Sequence, residues 1–378
     1  MKRPYPHPLE KILASRIAII DGAMGTTIRT YGMTEADIRG ERFKDSTKSL
    51  LNNGDLFSLT KPEMIGDIHR RFLDAGADII ETNTFGATSI TQSEFFVDDP
   101  REHGGRKDPA FYQKVIEDSF LKDLAWDINE QSARQCREWA DRVGSATSRQ
   151  RFVAGAIGPL TVSLSNSPDA DDAGFRVVIF DQVKAAYAEQ VRALIAGGVD
   201  LLLVETIFDS LNAKAALVAI REVFDDDEDS KELPVMISAA VGRGGETMIS
   251  AQTTEAFWNA VRHVKPLSVG LNCSLGPDLM YPFLEELSVK ADVAISCYPN
   301  AGLPNPLSPT GFDLGPKDMA RYLGDFARGG LINIAGGCCG NTPDHIAAIA
   351  KALDGAPPRK WGHDHAEESF TDQIESKA

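Results

Sequence analysis

The sequence predicts an α/β fold, a (β/α)8 TIM barrel built as a single domain. Eight apolar runs of strand length recur along the chain, and amphipathic stretches of helical length separate them. The runs are continuous in Val, Ile, Leu and Ala, which is typical of parallel strands covered on both faces. Eight such units close most economically into a barrel, and a doubly wound open sheet is the alternative.

The predicted strands leave room for at least one helix after each of them. They are Ile17–Ile20, Asp78–Glu81, Phe152–Ile157, Leu201–Glu205, Val235–Ala239, Leu267–Leu271, Val293–Cys297 and Leu331–Ala335. A chain of 378 residues with 43% hydrophobic residues has enough apolar material for one core of this size. We therefore expect one barrel domain over residues 9–353, followed by an acidic, flexible tail over residues 354–378.

Three helices have boundaries that the sequence marks clearly. Pro62–Ala75 and Pro343–Leu353 each carry a proline in the first turn, where its missing N–H costs nothing. Phe180–Ala196 ends at Gly197-Gly198, the residue type that favours a left-handed C-terminal cap. The segment Phe95–Phe111 interrupts the regular alternation, and the sequence assigns it no role.

Charge and cysteine content exclude several classes of function. The chain has 39 basic and 55 acidic residues, a net charge of −16, which repels nucleic acid and anionic membrane surfaces. No apolar run is long enough to span a bilayer. The five cysteines do not form the framework of a small secreted domain, so a reducing, cytoplasmic location is expected.

Three of the five cysteines lie where two predicted strands end. Cys273 follows strand six, and the pair Cys338-Cys339 follows strand eight between glycines. The carboxyl ends of barrel strands share one rim, so these thiols are expected to meet. Three thiolates with one open position are typical of a zinc ion that activates a substrate. Ordinary buried packing is the alternative for each cysteine taken alone.

The glycines beside the cysteine pair have an expected purpose. Gly336, Gly337 and Gly340 permit backbone angles that other residues avoid, which would let two consecutive side chains turn towards one ion. On the neighbouring strand, Asn300 is a candidate for a weak oxygen ligand at the fourth position. A simple turn is an equally good interpretation of Pro299-Asn300-Ala301-Gly302.

Polar residues at other strand ends suggest a binding site for an amino acid. Asp21 and Glu205 are candidates to hold an ammonium group, and backbone amides of Gly22–Thr26 to hold a carboxylate. A network of hydrogen-bonded turns is the structural alternative. The candidate substrate-binding residues are Asp21, Gly22, Ala23, Met24, Gly25, Thr26, Glu81, Asn83, Glu205 and Asn272.

These motifs together resemble a known family. The carriers of the likeness are Asp21–Thr26, Glu81–Phe85, Val204–Asp209, Gly270–Cys273, Tyr298–Gly302 and Gly336–Gly340. They resemble the homocysteine-binding (homocysteine S-methyltransferase) module of cobalamin-dependent methionine synthase. The likeness runs from about Leu9 to Leu353.

The resemblance implies a zinc-dependent methyltransferase that forms methionine. Cys273, Cys338 and Cys339 would hold Zn²⁺, homocysteine sulfur would be the fourth ligand, and Asn300 would occupy that position beforehand. Asp21 and Glu205 match positions that hold the amino group. The methyl group would come from methylcobalamin supplied in trans, with methyltetrahydrofolate as the ultimate donor. The partners implied are cobalamin-binding and folate-binding modules on separate polypeptides.

Two other functions stay open at this point. One is self-sufficient methylation of homocysteine from S-methylmethionine or a betaine, which would need a donor pocket over the zinc. The other is a non-catalytic, homocysteine-binding subunit of a complex. The acidic tail favours a separate subunit over an excised module, and the sequence does not fix the oligomeric state.

Overall fold

Eight parallel strands form the centre of the molecule. The computed structural model describes residues 7–22, 24–226, 232–308 and 311–361. The strands are β1 Ala18–Ile19, β2 Ile79–Glu81, β3 Phe152–Ile157, β4 Leu201–Ile207, β5 Val235–Ala239, β6 Ser268–Asn272, β7 Ala294–Tyr298 and β8 Ile334–Ala335. All eight coincide with predicted strands, with ends that differ by at most three residues.

The sheet curls into a nearly closed barrel. Its order is β1-β8-β7-β6-β5-β4-β3-β2, with every pairing parallel. A single bridge between Ile20 and Ile79 joins the two ends, and the amide of Asp21 donates to the carbonyl of Ile79 at 3.2 Å. The predicted TIM barrel is confirmed, and the open-sheet alternative is wrong.

Helices surround the strands. Those in the described residues are α1 Pro8–Ser15, α2 Met24–Thr30, α3 Glu35–Arg39, α4 Phe57–Thr60, α5 Pro62–Asp74, α6 Ser89–Phe96, α7 Pro109–Glu117, α8 Ser119–Thr147, α9 Phe180–Ala196, α10 Ser210–Asp226, α11 Thr254–Val261, α12 Pro277–Lys290, α13 Pro316–Arg328 and α14 Pro343–Ala352. The three helices marked in the sequence, α5, α9 and α14, are confirmed to within one residue. Gly198, with φ +91°, supplies the left-handed turn after α9.

The segment Phe95–Phe111 is an ordered connection between two helices. It contains the end of α6, a 3-10 turn at Pro100–His103 and the start of α7. Lys107 is buried there and donates to both carboxylate oxygens of Glu94, at 2.9 and 2.7 Å. This ion pair, between a buried lysine and a half-buried glutamate, attaches the segment to α6.

Alternate residues of each strand face the barrel interior. Leu201 and Leu203 belong to the inner apolar cluster, and Leu202 between them packs outwards against the helices. Leu9 and Leu13 of α1 are fully buried in the inner cluster and complete its hydrophobic packing. No helix in the described ranges is long and apolar enough to cross a membrane.

Packed structure continues past the predicted domain boundary at residue 353. Arg359 is 5% exposed, and its guanidinium donates to the carbonyls of Ser288, Ala291 and Val293. Trp361 packs against the inner cluster. Residues 354–361 are thus attached to the barrel, and the rest of the predicted tail lies outside the described residues.

Candidate metal centre

Three thiols meet at the carboxyl-terminal rim of the barrel. The Sγ atoms of Cys273, Cys338 and Cys339 all lie within 4.8 Å of one another, and those of Cys273 and Cys339 are 3.9 Å apart. Zn–S bonds of about 2.3 Å in a tetrahedral site place two sulfurs about 3.8 Å apart. Within the described ranges, no other group of three or more His, Cys, Asp or Glu residues has its ligand atoms this close together. The trio fits a zinc ion.

A strained turn carries the first of these cysteines. Cys273 and the following Ser274 have φ of 57° and 58°, in the left-handed region that non-glycine residues seldom adopt. The carbonyl of Cys273 accepts the amide of Leu275 at 2.6 Å. Two consecutive residues in this conformation cost about 1 kcal/mol or more each. Such strain is commonly found at functional sites.

The glycines around the cysteine pair serve two different purposes. Gly340 has φ +81°, as the sequence interpretation expected. Gly336 and Gly337 do not have positive φ; their Cβ atoms would lie 2.2 Å from the carbonyl oxygen of Ile20 and 2.2 Å from Cγ of Asn341. The expectation of special backbone angles is therefore wrong for these two. Gly336 has to be small because the main chain of Ile20 lies against it, and Gly337 because the side chain of Asn341 does.

Asn300 lies beside the thiols. Its side-chain Oδ1 accepts the backbone amide of Cys339 at 3.1 Å, and its backbone amide donates to the carbonyl of Leu275 at 3.0 Å. The residue is 6% exposed. One lone pair of Oδ1 is thus engaged in holding the cysteine turn, and the role of Asn300 as a fourth ligand stays a prediction.

The three thiols share their protons. Hydrogen bonds from the other two sulfurs lower the pKa of Cys339 to about 3. Hydrogen bonds to Cys273 and Cys339, together with burial, raise the pKa of Cys338 well above its usual value. Full deprotonation of three such close groups therefore needs a cation between them, which is the chemistry of a metal-binding donor set.

Asp21 lies at the end of β1 with both carboxylate oxygens in use. Oδ1 accepts the amide of Gly22 at 2.6 Å and that of Glu81 at 3.1 Å, and Oδ2 lies 3.3 Å from the latter. Burial raises the pKa of Asp21 to about 7, and the backbone hydrogen bonds oppose this rise. The Asp21 carboxyl therefore joins the end of β1 to β2 through hydrogen bonds to the main chain.

Two further buried carboxyl groups, Glu81 and Glu205, interact electrostatically with Asp21. Burial raises the pKa of Glu205 to about 8, and the charges of Cys273 and Asp21 add to the rise. Burial also raises the pKa of Glu81 well above its usual value, with Glu205 as the next cause. Each of these three acids makes ionisation of the others less favourable. A bound cation would stabilise their ionised forms, so this region is suited to bind one.

Asn272 connects the carboxyl region to the strand that bears Cys273. Its Oδ1 accepts the amide of Thr206 at 3.1 Å and the hydroxyl of Ser238 at 2.7 Å. Its Nδ2 donates to Oγ1 of Thr206 at 2.7 Å and lies 3.5 Å from Oε2 of Glu205. Asn272 is fully buried, so its side chain fixes β4, β5 and β6 relative to one another.

Two residues of this region were missed by the sequence interpretation. Tyr298 is fully buried, with its hydroxyl 3.4 Å from Oε2 of Glu205, and Ser238 holds Asn272. A signal did exist. Ser238 is a hydroxyl-bearing residue within the apolar predicted strand Val235–Ala239, and Tyr298 directly follows the predicted strand Val293–Cys297, where site residues are expected.

The loop after β1 contributes one clear contact. Oγ1 of Thr26 accepts the amide of Gly340 at 3.0 Å, which joins α2 to the cysteine turn. Met24 begins α2, and Gly25 is exposed. Gly22 has φ +80°, and its backbone amide donates to Oδ1 of Asp21. Ala23, also predicted to bind substrate, lies outside the described residues.

Asn83 is not brought into the cluster. Its Nδ2 donates to the carbonyl of Gly54 at 3.0 Å and to the hydroxyl of Ser58 at 3.1 Å. Its backbone amide donates to Oγ of Ser132 in α8 at 2.7 Å. These contacts join the end of β2 to the surrounding helices, and substrate binding by Asn83 stays a prediction.

Comparisons with known proteins agree with this geometry. The sequence model of a family described as homocysteine S-methyltransferase matches residues 18–353. The homocysteine methyltransferase MmuM of Escherichia coli in its metallated form has a TM-score of 0.65 at 19% identity, over 91% of this chain and 99% of that one. The oxidised form of the same Escherichia coli protein has a TM-score of 0.61 at 18% identity, over 89% of this chain and 95% of that one. At these identities the structures show a shared fold.

Proposed function

The chain belongs to the homocysteine S-methyltransferase family and is a methyltransferase, and from that premise we propose that it forms methionine at the thiol cluster of the barrel rim. Homocysteine is the methyl acceptor. The observation that carries the proposal is the convergence of Cys273, Cys338 and Cys339 beside a group of buried carboxyls. One rim thus offers partners for both the thiol and the amino group of the substrate.

The metal that we propose is Zn²⁺, held by Cys273, Cys338 and Cys339. Zinc bound there would keep the substrate sulfur as a thiolate at neutral pH, where a free thiol with a pKa of about 8.5 is mostly protonated. Two hydrogen bonds within the chain fix the turn that carries the cysteine pair. The amide of Cys339 donates to Oδ1 of Asn300, and the amide of Gly340 donates to Oγ1 of Thr26.

The chain's own residues orient the substrate. Its ammonium group would bind at the buried carboxyls that include Asp21 and Glu205. Asn272 keeps Glu205 at a fixed position relative to the strand of Cys273. The sulfur gives an electron pair to the methyl carbon, so its proton must leave before transfer, and the donor keeps the electrons of the bond that breaks.

We propose methylcobalamin, carried by another module or subunit, as the methyl donor. The support is the openness of the rim, because all three thiols are partly exposed. Connections around them carry exposed apolar side chains, namely Phe85 at 45%, Met248 at 58% and Leu303 at 38% exposure. A large donor can approach such a face directly. Separate cobalamin-binding and folate-binding polypeptides are the partners that this donor requires.

A methyl-transfer assay tests the proposal. The chain is depleted of metal, reloaded with Zn²⁺ and mixed with homocysteine and free methylcobalamin, and methionine is measured. Zinc-dependent methionine formation supports the proposal. Methionine formed only from S-methylmethionine or a betaine would replace the donor, and homocysteine binding without turnover with any donor would favour a non-catalytic binding subunit.

A further inference from the structure

A cavity of about 510 Å³ lies on the face of the barrel opposite the thiol cluster. It is lined by the last turns of α8, the connection from α8 to β3, and Asp200 directly before β4. Three arginines line it, namely Arg137, Arg149 and Arg151. The amino ends of β3 and β4 meet here, whereas the thiols follow the carboxyl ends of β6 and β8. The cavity is therefore separate from the proposed methyl-transfer site.

Arg151 is the least satisfied of these arginines. The residue is 6% exposed, and within the described ranges its guanidinium makes a single hydrogen bond, from Nη1 to the carbonyl of Ala77. Its Nε is buried and has no acceptor there. Burial lowers the pKa of Arg151, and the positive charge of Arg149 adds to this fall. A buried cation with an unused pair of N–H donors is costly unless an anion completes it.

Arg149 brings a second guanidinium to the cavity with donors to spare. Its Nη2 donates to Oδ1 of the fully buried Asp78 at 2.7 Å, and Nε and Nη1 make no hydrogen bond with the described residues. Asp78 is shared, because Arg16 donates to both of its carboxylate oxygens, at 2.7 and 2.9 Å. One carboxylate thus serves two arginines, which leaves positive charge in excess beside Arg151.

The two acids that line the cavity are already in use. Arg137 donates to Asp141 at 2.7 Å and also pairs with Asp200. Asp200 accepts the amide of Val153 at 2.7 Å as well. The side chain of Asp141 is 66% exposed, so water and salt screen its charge. These acids therefore do not supply the missing partner of Arg151.

We propose that this cavity binds a phosphate group through the guanidinium groups of Arg149 and Arg151. A guanidinium presents parallel N–H donors that match two phosphate oxygens, and the phosphate dianion would pair with the buried charge of Arg151. The cavity is large enough for a small phosphate ester as well as for free phosphate. The proposal does not depend on the methyl-transfer chemistry of the opposite rim.

The test is a calorimetric titration of the full chain with inorganic phosphate and with phenyl phosphate. Ionic strength is held constant with chloride, so that a general salt effect is the same in every sample. We expect saturable binding of one phosphate group per chain. Arg151→Gln should raise the dissociation constant by about 10- to 100-fold, the range for loss of a charge-assisted contact. Arg151→Lys keeps the charge without the planar pair of donors and should give a smaller increase.

Two further variants separate the site from general charge and from folding. Arg134→Gln removes an exposed arginine of the same helix α8 and should change the dissociation constant by less than about 2-fold. Arg149→Gln should weaken binding by about 5-fold or more, since it removes the second guanidinium. Its side chain is 41% exposed and Arg16 still pairs with Asp78, so this variant decides the question if Arg151→Gln does not fold.

The two ligands identify the source of the phosphate group. Tighter binding of phenyl phosphate than of phosphate assigns the site to a phosphate ester, and equal or weaker binding assigns it to free phosphate. Two results would overturn the proposal. One is a dissociation constant that is the same in the wild type and in the Arg149 and Arg151 variants. The other is binding that disappears at constant ionic strength in chloride, which would indicate an adventitious ion only.

Discussion

The sulfur atoms of Cys273 and Cys339 lie 3.9 Å apart although the residues are 66 positions apart in the chain. They follow β6 and β8. Pro299, directly after the intervening strand β7, accepts the amide of Cys338 through its carbonyl at 2.9 Å. The barrel thus brings the thiols together through strand order, and the glycines Gly336 and Gly337 directly after β8 allow the close packing around the cysteine pair.

Replacing one thiol should remove the metal. In Cys338→Ser the third thiolate is lost and a hydroxyl of much higher pKa stands in its place, so zinc content should fall from about one ion per chain to a small fraction. Methionine formation should fall by more than about 100-fold. Elemental analysis after dialysis measures the first effect. Cys136→Ala, at a buried thiol of α8, should retain the metal, and zinc retained by the Ser variant would contradict the ligand set.

A methyl group added to Gly336 should disturb the cysteine turn. Its Cβ would lie 2.2 Å from the carbonyl oxygen of Ile20, so backbone must move. We expect Gly336→Ala to lower the free energy of unfolding by about 1–3 kcal/mol and to weaken zinc binding. Chemical denaturation and metal titration measure the two effects. Gly244→Ala has open space around the added carbon and should do neither.

Much of the fold could be predicted because strands buried on both faces have a simple signature. All eight strands and the meeting of their ends follow from apolar runs and barrel geometry. Gly336 shows the limit of this reasoning, since sequence cannot distinguish a glycine needed for its angles from one needed for space. That distinction depends on how closely Ile20 approaches, which is a tertiary contact.

The site was less predictable than the fold. The three cysteines were found because thiols at strand ends are unusual. Asn83 was grouped with them because it also follows a strand, yet its side chain bonds to Gly54 and Ser58. Tyr298 was overlooked although it directly follows the predicted strand Val293–Cys297, because a buried tyrosine is ordinarily a packing residue. Side-chain direction beyond the strand end therefore limits prediction from sequence.

Removing Arg359 should destabilise the barrel without touching the rim. Its buried guanidinium donates to three main-chain carbonyls, and Arg359→Met leaves these acceptors unpaired. We expect the free energy of unfolding to fall by about 2–4 kcal/mol. Urea denaturation of the metal-loaded protein measures this. The matched control Arg328→Met, at an exposed arginine of α13, should change stability by less than about 0.5 kcal/mol.

The buried carboxyl of Asp21 should make the metal-free protein less stable as pH rises. Burial raises its pKa in the folded state to about 7 from 3.8, so the folded state binds more protons between these values. Stability from this group is present below about pH 4 and is lost as pH rises towards 7, by at most about 1.4 kcal/mol per pH unit. Asp21→Asn should flatten the slope in denaturation at pH 5, 6 and 7. An unchanged slope would contradict the assignment, and the exposed Asp325→Asn is the control.

Loss of the Tyr298 hydroxyl should shift the pH dependence of substrate binding. This hydroxyl lies 3.4 Å from Oε2 of Glu205 and opposes the rise that burial causes in the pKa of that carboxyl. In Tyr298→Phe the pKa of Glu205 should rise further, so a larger fraction is neutral at pH 7 and binds an ammonium weakly. We expect the KM for homocysteine to rise about 3- to 10-fold at pH 7 and the difference to shrink towards pH 9.5, as measured in steady-state assays across this range. Tyr281→Phe, at an exposed tyrosine of α12, is the control, and a KM increase that is the same at every pH would show a packing defect instead.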